Sequence, residues 1–76
     1  MTFAEKLRKL RKMRGMTTTE LANAANLSQP MISQYENGVK RPHPNMKIIL
    51  AMALRCKPSD LDDDVQEAPA TSSANS

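Results

Sequence analysis

Aromatic residues and cysteine are scarce in this sequence of 76 residues, which has no Trp, one Phe, one Tyr and one Cys. The single cysteine, Cys56, cannot form a disulfide within the chain, so the fold has to be held by packing. Leu, Ile, Met and Ala supply nearly all of the apolar bulk, which is typical of helices packed on one another. The composition therefore predicts one small all-α domain.

Long apolar runs are absent as well. No stretch approaches the roughly 20 apolar residues that a membrane-spanning helix needs. The N-terminal segment carries charges from Glu5 and Lys6 onward, and it lacks the apolar run and cleavage site of a signal peptide. We therefore expect a cytoplasmic protein that does not contact a membrane.

Charges of the two signs are divided unevenly along the chain. Residues 1–61 contain all eleven Lys and Arg but four of the eight acidic residues, a net charge of +7, and residues 62–76 contain the other four, a net charge of −4. A strongly basic folded part favours a polyanionic partner such as nucleic acid. For a basic surface considered by itself, solubility alone is an equally good explanation.

The first two predicted helices are indicated by an apolar stripe and a capping box. The first helix has apolar residues at i, i+4 and i+7 and ends at Gly15, where a left-handed residue is favoured. This stripe consists of Phe3, Leu7 and Leu10. Thr17 and Glu20 have the spacing of a capping box, so a second helix is predicted from about residue 18 to residue 25.

A third helix is predicted after a short connection at Asn26 and Leu27. Ser28 is a good N-cap and Pro30 fits a first helical turn, so this helix is predicted to run from about Gln29 to Asn37. The short connection predicts that the second and third helices cross at a steep angle.

The remaining chain predicts two more helices and a tail. A fourth apolar helix is predicted to end near Arg55, and a short fifth helix to begin at Pro58 with Leu61 turned inward. The inward residues of the fourth helix are predicted to be Ile48, Ala51, Met52 and either Leu54 or Ile49. From Asp62 the periodicity gives way to an acidic triplet and a run of Ala, Ser, Thr, Pro and Asn, so residues 62–76 are predicted to be disordered.

Residues for catalysis or metal binding are not found together. A zinc site needs about four ligands, which one His and one Cys do not supply. No Cys and His near each other in sequence indicate a nucleophile, and two separate glycines, Gly15 and Gly38, do not make a phosphate-binding loop. We expect no enzyme activity, no metal, no cofactor and no small-molecule ligand.

The segment TTTELANAANLSQPMISQYENGVKRP, residues 17–42, resembles the Cro and C1 repressor class of helix-turn-helix proteins, also called the XRE family. The resemblance covers about residues 3 to 61. It implies a compact, lambda-repressor-like bundle of about five short helices in residues 1–61, with the helix-turn-helix motif at about 18–37. The residues that make it specific are Leu21, Ala22, Leu27, Ser28, Ile32, Ser33, Tyr35, Glu36, Asn37 and Gly38.

The resemblance also implies roles for individual residues. Four side chains of the third helix are expected to contact base edges in the major groove, namely Gln29, Met31, Ser33 and Gln34. For Met31, packing between helices is the more common role of a methionine near a helix start. Four others are expected to contact phosphates, namely Thr18, Asn37, Lys40 and Arg41. Glu36 is expected to pair with Arg11 and to tie the third helix to the first, so both are assigned a structural role. Of the other basic residues in the first helix, those near its end, such as Lys12 or Arg14, are expected closest to DNA.

Some positions depart from the family pattern. Many relatives have Gln where this chain has Thr18, a polar residue where it has Pro30, and a glycine where it has Arg55. The resemblance therefore implies a shorter reach toward DNA at Thr18 and the loss of one side-chain contact at Pro30. His43 is expected to be an exposed loop residue, and Cys56 corresponds to a buried apolar position.

These expectations predict a sequence-specific transcriptional regulator that binds double-stranded DNA in the nucleoid. The type predicted is a phage, prophage or mobile-element repressor that binds a pseudo-palindromic operator as a weak homodimer assembled on DNA, with a dimer surface around the fifth helix and Leu61. An antitoxin or a restriction-modification controller of the same fold would look nearly identical, and a fragment that has lost a dimerisation or sensing domain would have the same tail. The alternative from another class is a protein-protein bridging module, for which the predicted surface is too polar.

Overall fold

The computed structural model describes residues 1–63, and these residues contain helices but no β-strand. The α-helices are α1 (Phe3–Met13), α2 (Thr18–Ala25), α3 (Gln29–Glu36) and α4 (Pro44–Leu54), and a one-turn 3-10 helix follows at Pro58–Leu61. The all-α prediction is confirmed. Within residues 1–63, no helix has the length and apolar character that would be needed to cross a membrane.

The predicted number of five helices is slightly off, because the last segment is a 3-10 turn and not an α-helix. Its four residues follow Pro58 and end where Asp62 returns to extended backbone, and a segment this short favours i to i+3 hydrogen bonds. Of the tail predicted to be disordered, residues 62–76, residues 64–76 lie outside the described residues. Asp62 and Asp63, which the sequence assigned to that tail, contact the helical part of the chain.

Reciprocal capping boxes fix the starts of α1 and α2. The amide of Thr17 donates to Oε1 of Glu20 at 2.8 Å, and the amide of Glu20 donates to Oγ1 of Thr17 at 3.1 Å. Thr2 and Glu5 form the same arrangement at the start of α1. Each box satisfies backbone donors that have no partner inside the helix, so the position of α2 along the chain is set locally.

The turn between α2 and α3 depends on one left-handed residue. Asn26 has a φ of 58°, a conformation that asparagine tolerates better than most residues. The chain then reverses so that the amide of Leu27 donates to the carbonyl of Ala22 at 2.8 Å, and the Leu27 side chain packs against the core. Ser28 accepts a hydrogen bond from the amide of Met31 at 3.3 Å and begins α3.

The core lies between α1, α2, α3, α4 and the 3-10 turn. Its largest fully buried side chains are Leu7, Leu21, Ile32, Leu50, Leu54 and Leu61. The rings of Phe3 and Tyr35 meet edge to face with their centroids 6.0 Å apart, which joins the start of α1 to the inner face of α3. Leu61 is buried in this core, as predicted, so its own side chain is not available to a dimer surface around the 3-10 turn.

The buried face of α4 also differs from the prediction. Leu50, Ala51 and Leu54 are buried, whereas Ile48 is 45% exposed and Met52 is 73% exposed. Because apolar residues occupy nearly every side of α4, their spacing does not select the inward face. Only the predicted positions of Ala51 and Leu54 are correct.

Candidate nucleic-acid interface

Helix α3 has two chemically different faces. Its inner face is buried and consists of Ile32, Tyr35 and Glu36. On its outer face Gln29 and Gln34 are exposed, and Ser33 is half-buried between them. The helix is therefore anchored on one side and presents amide and hydroxyl groups on the other.

Gln29 and Thr18 connect the N-termini of the two helices of the motif. Nε2 of Gln29, the first residue of α3, donates to Oγ1 of Thr18, the first residue of α2, at 3.1 Å. Although Thr18 is shorter than the glutamine of many relatives, it reaches Gln29. This hydrogen bond orients the Gln29 amide before any partner is present.

Met31 differs from the other residues that were expected to contact bases. It is half-buried and packs against the hydrophobic core, so part of its side chain holds α3 to the rest of the domain. Among the four residues predicted to contact bases, Gln29 and Gln34 are exposed, whereas Met31 and Ser33 are half-buried.

A bidentate ion pair connects the inner face of α3 to α1. Nε of Arg11 lies 2.6 Å from Oε2 of Glu36, and Nη2 of Arg11 lies 3.2 Å from Oε1. Nη1 of Arg11 also donates to the carbonyl of Met16 at 2.7 Å. The two side chains are only 12% and 4% exposed, so water screens the pair weakly.

Arg8 makes a second link between α1 and the end of α3 that the sequence did not suggest. Its Nη2 donates to Oδ1 of Asn37 at 3.2 Å, and its Nε lies 3.5 Å from Oε1 of Glu36. Sequence reasoning gave Arg8 no role of its own. The available signal was its position three residues before Arg11, which places both on one side of α1. Asn37, a predicted phosphate contact, therefore has its amide oxygen engaged.

The chain leaves α3 through a compact turn that positions two cations. Gly38 has a φ of 74°, which would strain a residue with a side chain. The amides of Val39 and Lys40 then both donate to the carbonyl of Gln34, at 2.9 and 3.3 Å. Lys40 and Arg41 are therefore exposed directly beside the C-terminal end of α3.

Arg41 is paired with an acidic residue from the far end of the described chain. Its Nη2 lies 3.0 Å from Oδ2 of Asp63, while Oδ1 of Asp63 accepts a hydrogen bond from the backbone amide of Phe3. The Arg41 side chain and the Phe3 amide hold the pKa of Asp63 below its ordinary value. The neighbouring Asp62 pairs with Lys47 at 2.9 Å.

Arg14, one of the basic residues expected near DNA, instead donates hydrogen bonds to the end of α4. Its Nε donates to the carbonyl of Leu54 at 2.7 Å and its Nη2 to the carbonyl of Arg55 at 3.2 Å. It therefore satisfies carbonyls at the C-terminal end of α4. Lys12 is exposed on α1.

His43 and Cys56 lie on either side of α4. His43 is exposed, as expected, and its Nδ1 accepts a hydrogen bond from the amide of Asn45 at 3.1 Å at the start of α4. Cys56 is half-buried, and burial, with a smaller effect of Asp60, raises the pKa of its thiol. Among residues 1–63, no three His, Cys, Asp or Glu side chains are grouped so that they could hold a metal ion.

Comparison with known proteins agrees with this geometry. A helix-turn-helix family model, HTH_3, matches residues 7–61. The DNA-binding domain of the P22 c2 repressor is similar in structure, with a TM-score of 0.77 and 28% sequence identity over 80% of either chain. The P22 c2 repressor in complex with a synthetic operator has a TM-score of 0.76 and 27% identity, covering 82% of this chain and 94% of that chain.

A relative from another regulatory setting is equally similar. The restriction-modification controller protein from Aeromonas hydrophila has a TM-score of 0.75 and 29% identity, covering 78% of this chain and 89% of that chain. The resemblance found in the sequence and the lambda-repressor-like architecture are thereby confirmed. The chain belongs to the Cro/C1-type helix-turn-helix family, and it is a DNA-binding transcriptional regulator.

Proposed function

We propose that this regulator recognises a specific operator with the outer face of α3. The observation that carries the proposal is the division of this helix into two faces. Its inner face is fixed by core packing and by the pair of Arg11 with Glu36, whereas Gln29 and Gln34 stay exposed on the outer face. A helix held in this way can enter the major groove, which is about 12 Å wide, without first being ordered by DNA.

The residues proposed to contact base edges are Gln29, Met31, Ser33 and Gln34. A glutamine amide can donate to and accept from adenine at N6 and N7, and a serine hydroxyl can bond several bases. The hydrogen bond from Gln29 to Thr18 limits how the Gln29 amide can turn. The exposed part of Met31 is suited to a thymine methyl group.

The residues proposed to contact phosphates are Thr18, Asn37, Lys40 and Arg41. Thr18 lies in the first turn of α2, where backbone amides and the helix dipole favour an anion. The other three lie at the opposite end of the motif, directly after α3. Contacts at the two ends of the motif would fix its position on the duplex, while the contacts of α3 give the sequence preference.

We further propose that the protein binds a pseudo-palindromic operator as a homodimer. Two recognition helices of such a dimer are about 34 Å apart, which is one turn of DNA. Because Leu61 is buried, the large apolar side chains that α4 exposes to a partner chain are few, namely Ile48, Ile49 and Met52. We therefore expect weak association in solution and assembly on DNA.

The similar structures include both a P22 repressor and a restriction-modification controller, so both are models for the biological role. We propose the repressor type, acting in the nucleoid, with no enzymatic step. Residues 1–61 would form the DNA-binding domain, against which Asp62 and Asp63 are held by ion pairs with Lys47 and Arg41, and the proposed tail would follow them.

Selection of bound duplexes from a randomised DNA pool, at physiological salt and with excess competitor DNA, tests the proposal. We expect enrichment of an inverted repeat whose half-sites are about ten base pairs apart. Enrichment of single half-sites would contradict the dimer. If no sequence is enriched although circular dichroism shows a folded helical protein, sequence-specific binding is ruled out for this chain.

Paired substitutions separate the two kinds of contact. Gln34→Ala should change which bases are preferred, since an amide that contacts base edges is lost. Lys40→Ala should weaken binding to every duplex alike and flatten the slope of log affinity against log salt by about one unit. Titrations of both variants against the selected operator and a scrambled duplex measure the difference. An equal loss on both duplexes for Gln34→Ala would exclude its role in base recognition.

A further inference from the structure

One of the cations proposed to bind DNA already forms an ion pair with a carboxylate of the same chain. Arg41 follows α3 in the turn that also exposes Lys40, and its Nη2 lies 3.0 Å from Oδ2 of Asp63. The Arg41 side chain is 81% exposed and that of Asp63 is 36% exposed. The pair therefore lies at the surface, where a phosphate oxygen could replace the carboxylate.

Asp63 is held in place by more than Arg41. Its other oxygen accepts a hydrogen bond from the amide of Phe3, the first residue of α1. This amide is one of the donors that an α-helix leaves unsatisfied, and the positive end of the helix dipole favours a carboxylate there. The preceding residue is also fixed, because Asp62 pairs with Lys47 on α4 at 2.9 Å.

These contacts give Asp63 a position that does not depend on Arg41. If Arg41 turned toward a phosphate, the carboxylate would keep its bond to the Phe3 amide and would stay close to the approaching DNA backbone. DNA would then lose affinity in two ways, because the ion pair has to be broken and a negative charge remains beside the phosphates.

We propose that Asp63 is a built-in competitor of DNA phosphate for Arg41 and so lowers the affinity of the protein for all DNA sequences. The inference rests on the proposed function, because it takes Arg41 to be a phosphate contact. The competition is independent of base sequence, since neither Arg41 nor Asp63 is on the face of α3 proposed to contact bases. It sets the strength of binding and leaves the choice of operator to α3.

The test compares Asp63→Asn with Asp62→Asn in the full chain. Both changes remove one negative charge at neighbouring positions, but only the first removes the charge paired with Arg41. Asparagine can still accept the hydrogen bond from the Phe3 amide, and circular dichroism with urea unfolding checks that both variants fold. Affinities are measured by fluorescence anisotropy for the selected operator and for an unrelated duplex of equal length.

Asp63→Asn should tighten binding to both duplexes by about two- to fivefold, the range expected for freeing one exposed ion pair. Asp62→Asn should have a smaller effect, because it removes one negative charge and frees Lys47, which is not a proposed phosphate contact. In an Arg41→Ala background, the gain from Asp63→Asn should fall to that of Asp62→Asn. Equal gains for the two asparagine variants, or a gain that persists without Arg41, would overturn the competition. If the wild-type chain and all variants fail to bind either duplex, the proposed function itself is wrong.

Discussion

The most enclosed charge among the described residues is the carboxylate of Glu36, whose side chain is 4% exposed. A buried charge is tolerated only when its hydrogen-bonding capacity is used. Arg11 supplies two hydrogen bonds to this carboxylate, and Arg8 adds a longer contact at 3.5 Å. Glu36 therefore contributes to the position of α3, although it points away from the proposed DNA surface.

Removing one member of this pair should cost more than removing both. Glu36→Ala should lower the free energy of unfolding by about 3 kcal/mol, because Arg11 keeps its charge in a site that is only 12% exposed. The double variant Arg11→Met, Glu36→Leu should lose less, since no unpaired charge remains. Urea unfolding followed by circular dichroism measures the free energy of unfolding of both. A double variant that is less stable than Glu36→Ala would contradict the explanation.

The helices show which parts of the fold have local causes. The capping box of Thr17 and Glu20 predicted α2 at residues 18 to 25, where it is found, because the box acts within one turn. The end of α3 was predicted one residue late, since Asn37 is its C-cap. The inward face of α4 was predicted wrongly, because a helix that is apolar all round is oriented by its neighbours and not by its own pattern.

In the candidate site, too, some features follow from local sequence and others depend on how the helices pack. The residues proposed to contact DNA follow from a resemblance in continuous sequence, and this stretch includes both α2 and α3. The contacts of Arg8 with Asn37 and of Arg41 with Asp63 join residues 29 and 22 positions apart. The spacing of Arg8 and Arg11 places both on one side of α1, but the residues with which Arg8 and Arg41 pair depend on how the helices pack.

The C-terminal end of α4 offers a test at the level of one element. Arg55 is the C-cap with a φ of 57°, a left-handed conformation in which the Cβ atom of an arginine is unfavourable. Arg55→Gly should raise the free energy of unfolding by about 0.5–1 kcal/mol, because glycine adopts this conformation without strain. The hydrogen bond from Arg14 is kept, since it ends on the backbone carbonyl.

Arg55→Ala is the matched control for this change. It removes the same charge but keeps a Cβ atom, so it should bring no gain. Thermal unfolding of both variants at one salt concentration separates the two effects. A gain of equal size in the alanine variant would mean that charge, and not backbone conformation, limits stability at this position.

On the scale of the whole molecule, Asp63 connects parts of the described chain that are distant in sequence. It joins the start of α1 to the turn after α3, two regions far apart in sequence. Arg41, and to a smaller extent the Phe3 amide, lower its pKa. A carboxyl group whose pKa is lower in the folded state stabilises the fold at pH values above its unfolded pKa.

The stabilisation by Asp63 should therefore disappear in acid. The difference in unfolding free energy between the wild type and Asp63→Asn should be complete at about pH 7, shrink below about pH 4 and vanish once the pH is below the folded-state pKa. Urea unfolding of the two proteins across this range measures the difference. In an Arg41→Ala background the difference should be smaller at neutral pH, and an unchanged difference there would assign the effect to another partner.

The division of α3 into a buried and an exposed face has a consequence for how such regulators diverge. The buried face packs in the core and pairs with α1 through Ile32, Tyr35 and Glu36. Gln29 and Gln34 are exposed. Gln34 can therefore be exchanged at little cost to folding, and Gln29 at the cost of one hydrogen bond to Thr18. A duplicated copy of this gene could acquire a new target by a few outward substitutions, with its scaffold inherited intact.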